Sequence, residues 1–458
     1  MLRKNPIALA IFLAHGLSSP AAHAQTLAAA ATASAPESTL KEITVTATRT
    51  ERRVDDVPAT VTVTPASAIE RSGARDIKDL FRNEIDITVR AAATRFTAAG
   101  ASTGRAGNEG INIRGLEGNQ VLLLVDGIRV PNAFSFGSFA TGRGDFLNID
   151  SAQTIEVLRG PASTQYGSDG LAGVVSLRTL DPADVLKPGQ TLGGFARLGY
   201  NSVDKSWNTS LAAAGRSGPW QALLMATERK GHETANQGGI DAPDSSRTTP
   251  NPVRYSSPSV LGKLLYTLNP EHQFGLTLDA QRRTQDTEVY SARALPPLAA
   301  SSTLDLDTHD RLERNRVSFE HRYSDTRGAW IQKAETRVFH QSADVRQFAA
   351  EDRNTSADRT RDNRYTQNVD GLSTVLESNF NTGAVTQRLS YGLDVSRTKI
   401  DGVRDGTVPP FGETFPTKPF PVTTYTLAGV FVQDEVELGS LSLIDRKSVC
   451  RERVYCVV

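Results

Sequence analysis

Ile111-Asn112-Ile113-Arg114-Gly115-Leu116, continued by Val121-Leu122-Leu123-Leu124-Val125-Asp126-Gly127-Ile128-Arg129-Val130-Pro131, and then Ile155-Glu156-Val157-Leu158-Arg159-Gly160-Pro161 decide the fold of this chain. Each is a short β-branched or leucine-rich run stopped by Gly or Pro, the pattern of a buried strand that ends in a tight turn. Gly-Asn and Asp-Gly steps lie between them, and Tyr166-Gly167-Ser168-Asp169-Gly170-Leu171-Ala172-Gly173-Val174-Val175 follows. Residues 111–179 therefore read as a small sheet domain turned by glycines.

The totals limit what surrounds it. With 51 basic and 51 acidic side chains in 458 residues, no overall field draws the chain to nucleic acid or to an anionic surface. At 38% hydrophobic residues and a mean hydropathy of −0.33, with no apolar run of about eighteen beyond the N-terminus, a helical membrane protein is excluded. A transmembrane barrel is allowed, because its alternating strands average to a soluble-looking composition. Cys450 and Cys456 are the two cysteines, so everything before them lacks a disulfide framework or a Cys-based zinc site. No Gly-Lys-Ser/Thr phosphate loop occurs, and no Ser, His and Asp stand at a spacing with a catalytic mechanism. The chain is therefore not expected to be an enzyme.

Taken in order, Met1-Leu2-Arg3-Lys4, an apolar stretch and Ala22-His23-Ala24 read as a secretory signal over residues 1–24. Residues 25–50 read as a flexible tether. It carries Glu42-Ile43-Thr44-Val45-Thr46-Ala47-Thr48, whose alternation is that of an extended strand. Such a segment either opens the next domain or adds to a partner's sheet edge. Residues 51–185 form the sheet domain, with helix starts near Pro65 and Asp76, Ile69, Ile77, Leu80 and Phe81 in its core, and a loop over residues 91–110.

From residue 186 the rhythm changes. About ten candidate strands lie between residues 191 and 437, many alternating, as Phe274-Gly275-Leu276-Thr277-Leu278 does. Short turns such as Ser217-Gly218-Pro219 alternate with long polar stretches at 231–257, 285–310, 343–364 and 400–423. Short turns on one side and long loops on the other are the signature of an outer-membrane barrel. Residues 186–444 are read as barrel, and residues 445–458 as a non-native tail that replaces the rest of it.

Ile113-Arg114-Gly115-Leu116, Leu124-Val125-Asp126-Gly127, Ile155 to Pro161 and Tyr166 to Val175 together resemble the plug domain of TonB-dependent outer-membrane receptors. The resemblance implies an all-β transmembrane barrel, incomplete at about ten strands of the twenty-two expected, with an N-terminal α+β plug in a Gram-negative outer membrane. It makes Glu42, Ile43, Thr44, Val45, Thr46, Ala47 and Thr48 the TonB box, paired with the TonB energy-transducing protein. Arg114, Gly115, Asp126, Gly127, Glu156, Arg159 and Gly160 become the plug motifs, whose charges hold plug to wall. Residues 391–399, 415–421 and 428–435 are similar to the haem and haemoglobin receptor branch, which makes haem or a haem-protein the transported ligand. No cofactor is required. Haem iron takes His, Tyr, Met or Cys, so His232, His309, His340, Tyr255 and Tyr290, in or near the long stretches, are the ligand candidates. A siderophore or cobalamin receptor is the alternative within the class; a passive porin and a secreted enzyme are the alternatives outside it.

Overall fold

The computed structural model describes residues 43–44, 49–57, 59–90, 95–96, 102–103, 110–132, 146–167, 169–328, 330–383, 385–438 and 441–457. The signal and most of the tether thus lie outside the described residues.

The N-terminal part contains β1 (Ile43–Thr44), β2 (Arg52–Arg53), β3 (Thr60–Pro65), β4 (Ile87–Arg90), β5 (Arg95–Phe96), β6 (Ser102–Thr103), β7 (Gly110–Ile113), β8 (Val121–Val125), β9 (Ile128–Arg129), β10 (Ala152–Arg159) and β11 (Gly173–Thr179). Its helices are α1 (Ala66–Ser72), α2 (Ile77–Leu80), α3 (Ser163–Tyr166) and α4 (Pro182–Val185). Five strands make the central sheet in the order β3-β10-β11-β8-β9, with β11 parallel to β8 and the other pairs antiparallel. Every residue of β8 is buried because both faces of the sheet are covered. Leu122, Leu124 and Val174 pack with Tyr166 on one face; Val121, Leu123, Val125 and Leu177 pack with Ile69, Ile77, Phe81 and Phe146 on the other. The second cluster continues into Leu312, Ala343, Val345 and Tyr365 of the barrel wall. Sequence patterning shows in the helix ends too: Gly73 closes α1 in the left-handed conformation, and the Asp76 carboxylate accepts from the Asp79 amide at 2.8 Å to open α2. Within the expected loop at 91–110, β5 pairs with β6.

Asp126-Gly127 turns β8 into β9 with φ of 49° and 74°, both positive as a two-residue hairpin that matches strand twist requires. Arg114-Gly115 does the same, with φ of 53° and 88°. A Cβ on Gly127 would lie 2.6 Å from Nη1 of Arg337, a barrel residue. Gly127→Ala is therefore expected to cost about 1–3 kcal/mol, from strain plus displacement of Arg337. The unfolding midpoint of the refolded protein measures this; an unchanged midpoint would show that the hairpin sits loosely against the wall.

The second part is one antiparallel meander of eleven strands, each paired with its sequence neighbour. They are β12 (Leu192–Asn201), β13 (Ser206–Ser217), β14 (Trp220–His232), β15 (Val253–Thr267), β16 (His272–Glu288), β17 (Thr303–Ser324), β18 (Lys333–Arg353), β19 (Arg359–Thr382), β20 (Val385–Gly406), β21 (Val422–Leu438) and β22 (Leu441–Val457). Alternation sorts the side chains. Leu224, Leu264, Leu278, Val317, Phe319, Val338, Leu393 and Val430 are exposed on the outer face, while their neighbours Leu223, Met225, Lys263, Asp279, Arg316 and Ser318 are buried on the inner one. Paired rings rim this belt: Tyr200 with Trp207 at 4.9 Å, and Trp220 with Tyr266 at 4.6 Å. Trp207 and Ser217, the partner of Trp220, are ten residues apart on β13. At about 3.3 Å per residue and a tilt near 40°, that is roughly 25 Å of height, the thickness of an outer-membrane apolar band.

The strands run further than their apolar pattern. The expected loops at 231–257, 285–310, 343–364 and 400–423 shrink to residues 233–252, 289–302, 354–358 and 407–421. Beyond the belt the outer face carries Arg311–Asp344 at 3.2 Å, Arg346–Asp362 at 2.6 Å and Arg282–Glu313 at 3.2 Å. Polar side chains erase the alternation there while the backbone ladder continues. Residues 445–457, read from the sequence as a tail, lie in an eleventh strand, β22, in full register with β21 from Leu438↔Leu441 to Val422↔Val457. Backbone groups make that pairing, whatever the side chains.

Candidate functional site: the clamped tether, the plug–wall contacts and the outer cavity

The segment that follows the box-like stretch is gripped from two sides. β1 pairs with β2, Ile43↔Arg53 and Thr44↔Arg52, and the buried Thr44 hydroxyl donates to Glu156 of the plug at 2.6 Å. Glu42 and residues 45–48 lie outside the described residues. Arg49 donates to both carboxylate oxygens of Asp394 on β20, at 2.5 and 3.0 Å, and to the Gln165 carbonyl at 2.9 Å. Its guanidinium lies 4.7 Å from the ring of Tyr166 in the plug and 4.7 Å from that of Phe431 in the wall. Arg52 pairs with Glu435 of β21, and Gln165 donates to Gln433 at 2.6 Å. Planar bidentate geometry and two ring faces suit arginine and not lysine.

A second contact sits under the Asp126-Gly127 hairpin. Arg316 of β17 reaches the Val125 carbonyl at 2.5 Å and Asp126 at 2.6 Å. Asp126 also accepts from the Thr179 amide at 2.8 Å. Burial alone would push the Asp126 carboxyl up, but the charges of Lys263 and Arg316 with the Thr179 amide override it and hold it well below the carboxylate range. Arg314 and Arg316 share Asp279, at 2.5 and 3.3 Å, and Lys263 pairs with Asp181 at 2.7 Å. Farther out, Arg229 meets Asp150 at 3.3 Å, and Asn148 donates to Ser259 at 2.7 Å.

Of the charges expected to hold plug to wall, Asp126 does so. Arg159 instead pairs with Glu84 and donates to Thr62 at 2.7 Å, and Arg114 pairs with Asp86 at 3.2 Å, all inside the plug. Glu156 binds Thr44, and thus the tether. Gly115, Gly127 and Gly160 take positive φ as turn residues. The wall residues Arg316, Asp394 and Glu435 were missed. Their signal was in the sequence: each is a charge at a lumen-facing position of a strand whose outward neighbours, such as Val317, Leu393 and Val436, are apolar.

The ligand candidates separate. His232 and Tyr255 line a cavity of about 760 Å³ between plug residues 75–78 and 147–150, the wall strands β14, β15 and β16, and the connection 233–252. The Tyr255 hydroxyl donates to Asp204 at 2.7 Å. Tyr290 lies outside that cavity, with its ring 4.2 Å from the Arg293 guanidinium and 5.3 Å from that of Arg247. His309 and His340 face away from the lumen: they are 59% and 56% exposed and pair with Asp286 and Asp370 across neighbouring strands, at 2.8 and 2.7 Å. Their lumen-facing neighbours Thr308, Asp310 and Gln341 are buried. Position along a strand suggested these two histidines; strand parity turns both away from the lumen. Among the described residues no three His, Cys, Asp or Glu side chains converge as a metal site.

Comparison with known proteins matches this architecture. Residues 53–174 match the family model of the TonB-dependent receptor plug domain, and residues 245–444 that of the TonB-dependent receptor-like β-barrel. Hemoglobin and hemoglobin-haptoglobin-binding protein A of Haemophilus influenzae is 31% identical over 275 residues, 56% of this chain and 24% of that protein. Lactoferrin-binding protein A of Neisseria meningitidis serogroup A is 29% identical over 257 residues, 52% of this chain and 26% of that protein. The Serratia marcescens hemophore receptor HasR, solved with its hemophore HasA and heme, superimposes with a TM-score of 0.62 at 15% identity, over 87% of this chain and 60% of that one. The chain thus spans about a quarter of the length of these curated relatives. It belongs to the TonB-dependent receptors of the Gram-negative outer membrane.

Proposed function

We propose that this chain carries the plug and leading barrel strands of a receptor for energy-coupled uptake of haem, either free or taken from haem-proteins. The observation that carries the coupling is the clamp on the tether. Arg49 and Arg52 follow the box directly and are held by wall carboxylates, so a pull on residues 42–48 by a TonB partner reaches the plug–wall contact at once. A passive porin needs an open lumen, whereas here the apolar core of the plug runs into the wall at Leu312, Val345 and Tyr365. Support for haem is the likeness to hemoglobin-binding relatives. Ligand binding in the outer cavity and tether capture inside are then two sites coupled through the plug. Cells that produce the receptor and are fed labelled haem are expected to accumulate it until a protonophore is added, and to keep only surface-bound haem afterwards. Accumulation that ignores the protonophore would mean a passive pore. Absence of haem absorption bands on the purified receptor, with ferric-siderophore uptake in the same cells, would mean a siderophore receptor.

A further inference from the structure

Five histidines occur among the described residues, and two of them meet each other. His309 and His340 each pair with an aspartate. His272 of β16 and His321 of β17 pair with no carboxylate among the described residues; instead Nδ1 of His272 lies 3.0 Å from Nε2 of His321. Strand parity puts both on the outside of the wall, His272 in line with the exposed Leu276 and Leu278, His321 in line with the exposed Val317 and Phe319. Register sets His272 opposite Tyr323 and Phe274 opposite His321, so the two imidazoles are diagonal neighbours at the short-turn end of the hairpin. Their rings stack at 5.2 Å with 7° between the planes. Phe274 lies against His321 at 4.7 Å and Tyr323 against His272 at 5.0 Å. The backbone is held as well: the His272 amide donates to the Asn269 side-chain oxygen at 2.8 Å, and its carbonyl accepts from the Leu268 amide at 3.0 Å.

A ring that anchors a wall at the membrane–water boundary needs no second imidazole beside it; Trp and Tyr serve there alone. Two imidazoles without a carboxylate do have a chemistry that Trp and Tyr lack. A divalent metal about 2.0–2.1 Å from each of two such nitrogens, with an angle of roughly 90–109° between them, sets the nitrogens about 2.9–3.4 Å apart. The 3.0 Å separation falls inside that window. Binding needs only that the N–H proton of one ring move to that ring's other nitrogen and that the rings turn about χ2 until both lone pairs meet. A donor set of imidazole nitrogens favours Cu²⁺, then Ni²⁺ and Zn²⁺, over Mg²⁺ or Ca²⁺. We infer that His272 and His321 form a two-imidazole site for a late divalent transition metal, with the remaining coordination positions left to water. The bound metal ties β16 to β17 on the wall's outer face, away from the outer cavity, so the site does not depend on the haem reading.

The test is Cu²⁺ titration of the purified chain in detergent, stripped with a chelator and with Cys450 and Cys456 alkylated. The wild type is expected to take up one tightly held Cu²⁺ whose electron paramagnetic resonance spectrum shows two nitrogen ligands, and to release it to excess Zn²⁺. H272N and H321N should each weaken binding by about 100-fold, because the second imidazole acts at high effective concentration. H309N/H340N should change neither affinity nor spectrum. A one-nitrogen spectrum in the wild type, unchanged affinity in H272N or H321N, or a loss that follows H309N/H340N instead would each mean adventitious copper and overturn the site. Should an asparagine variant lose the β-sheet circular dichroism of the wild type, acylation of the wild type by diethyl pyrocarbonate decides in its place. Zn²⁺ that shields both His272 and His321 supports the site; equal acylation with and without Zn²⁺ overturns it.

Discussion

A receptor lacking residues 42–48 is expected to bind haem like the wild type and to import none, so that uptake falls to the level of cells without the receptor. The loss would be of a handle, not of the fold. The described contacts that go with the deletion are the two-residue pairing of β1 with β2 and the Thr44–Glu156 hydrogen bond, each hydrogen bond worth about 1 kcal/mol. The five-stranded sheet begins only at Thr60, and the clamps Arg49–Asp394 and Arg52–Glu435 stay in place. Labelled haem uptake, measured beside surface binding, checks it. Import within about twofold of the wild type would detach transport from this segment and from any partner that pulls on it.

Arg316→Ala is expected to destabilise the seated plug by about 3–5 kcal/mol, the cost of removing one member of a buried ion pair. The Arg316 side chain is fully buried and joins Val125, Asp126 and Asp279. Its removal leaves Asp126 ionised with Thr179 and the more distant charges of Lys263, Arg314 and Arg337 to compensate. The pH dependence follows from the lowered Asp126 pKa. The pair's contribution is complete above an unfolded aspartate's value of about 3.9 and is lost only as pH falls through the lower folded value. The two proteins should therefore differ by a constant amount at neutral pH and converge in strong acid. Thermal unfolding across pH, together with entry of large antibiotics through the barrel, measures both sides of this. A variant as stable and as tight as the wild type would show that apolar packing alone seats the plug.

Local chemistry explains what could be read beforehand. Asp126-Gly127 and Arg114-Gly115 dictate their turns within a few residues, so the plug was legible from motifs of that length. Strand ends were not. In β19, which runs from Arg359 to Thr382, the first ten residues hold charged and amide side chains on both faces, and only backbone pairing makes them strand. The site was half legible. Asp126 was named from the sequence, but its partner Arg316 lies 190 residues away, and Arg159 found Glu84 instead of the wall. His309 and His340 were placed by their distance from loops, when the burial of alternate residues in the same strands decides which way each points.

The place of β3 in the sheet has a mechanical consequence. In the order β3-β10-β11-β8-β9, the strand nearest the N-terminus is an edge strand, hydrogen-bonded to β10 alone. A force applied at Ile43 meets β1, then Arg49 and Arg52, then β3, one after another and never all together. Contacts loaded in series yield singly, at lower force than the same contacts loaded side by side. Stripping β3 away leaves β10, β11, β8 and β9 joined, still moored to the wall through the Asp126 hairpin. The chain is thus arranged like a seam with its loose thread at one end and its knot at the other, and the distance between thread and knot sets how wide it can open before it parts.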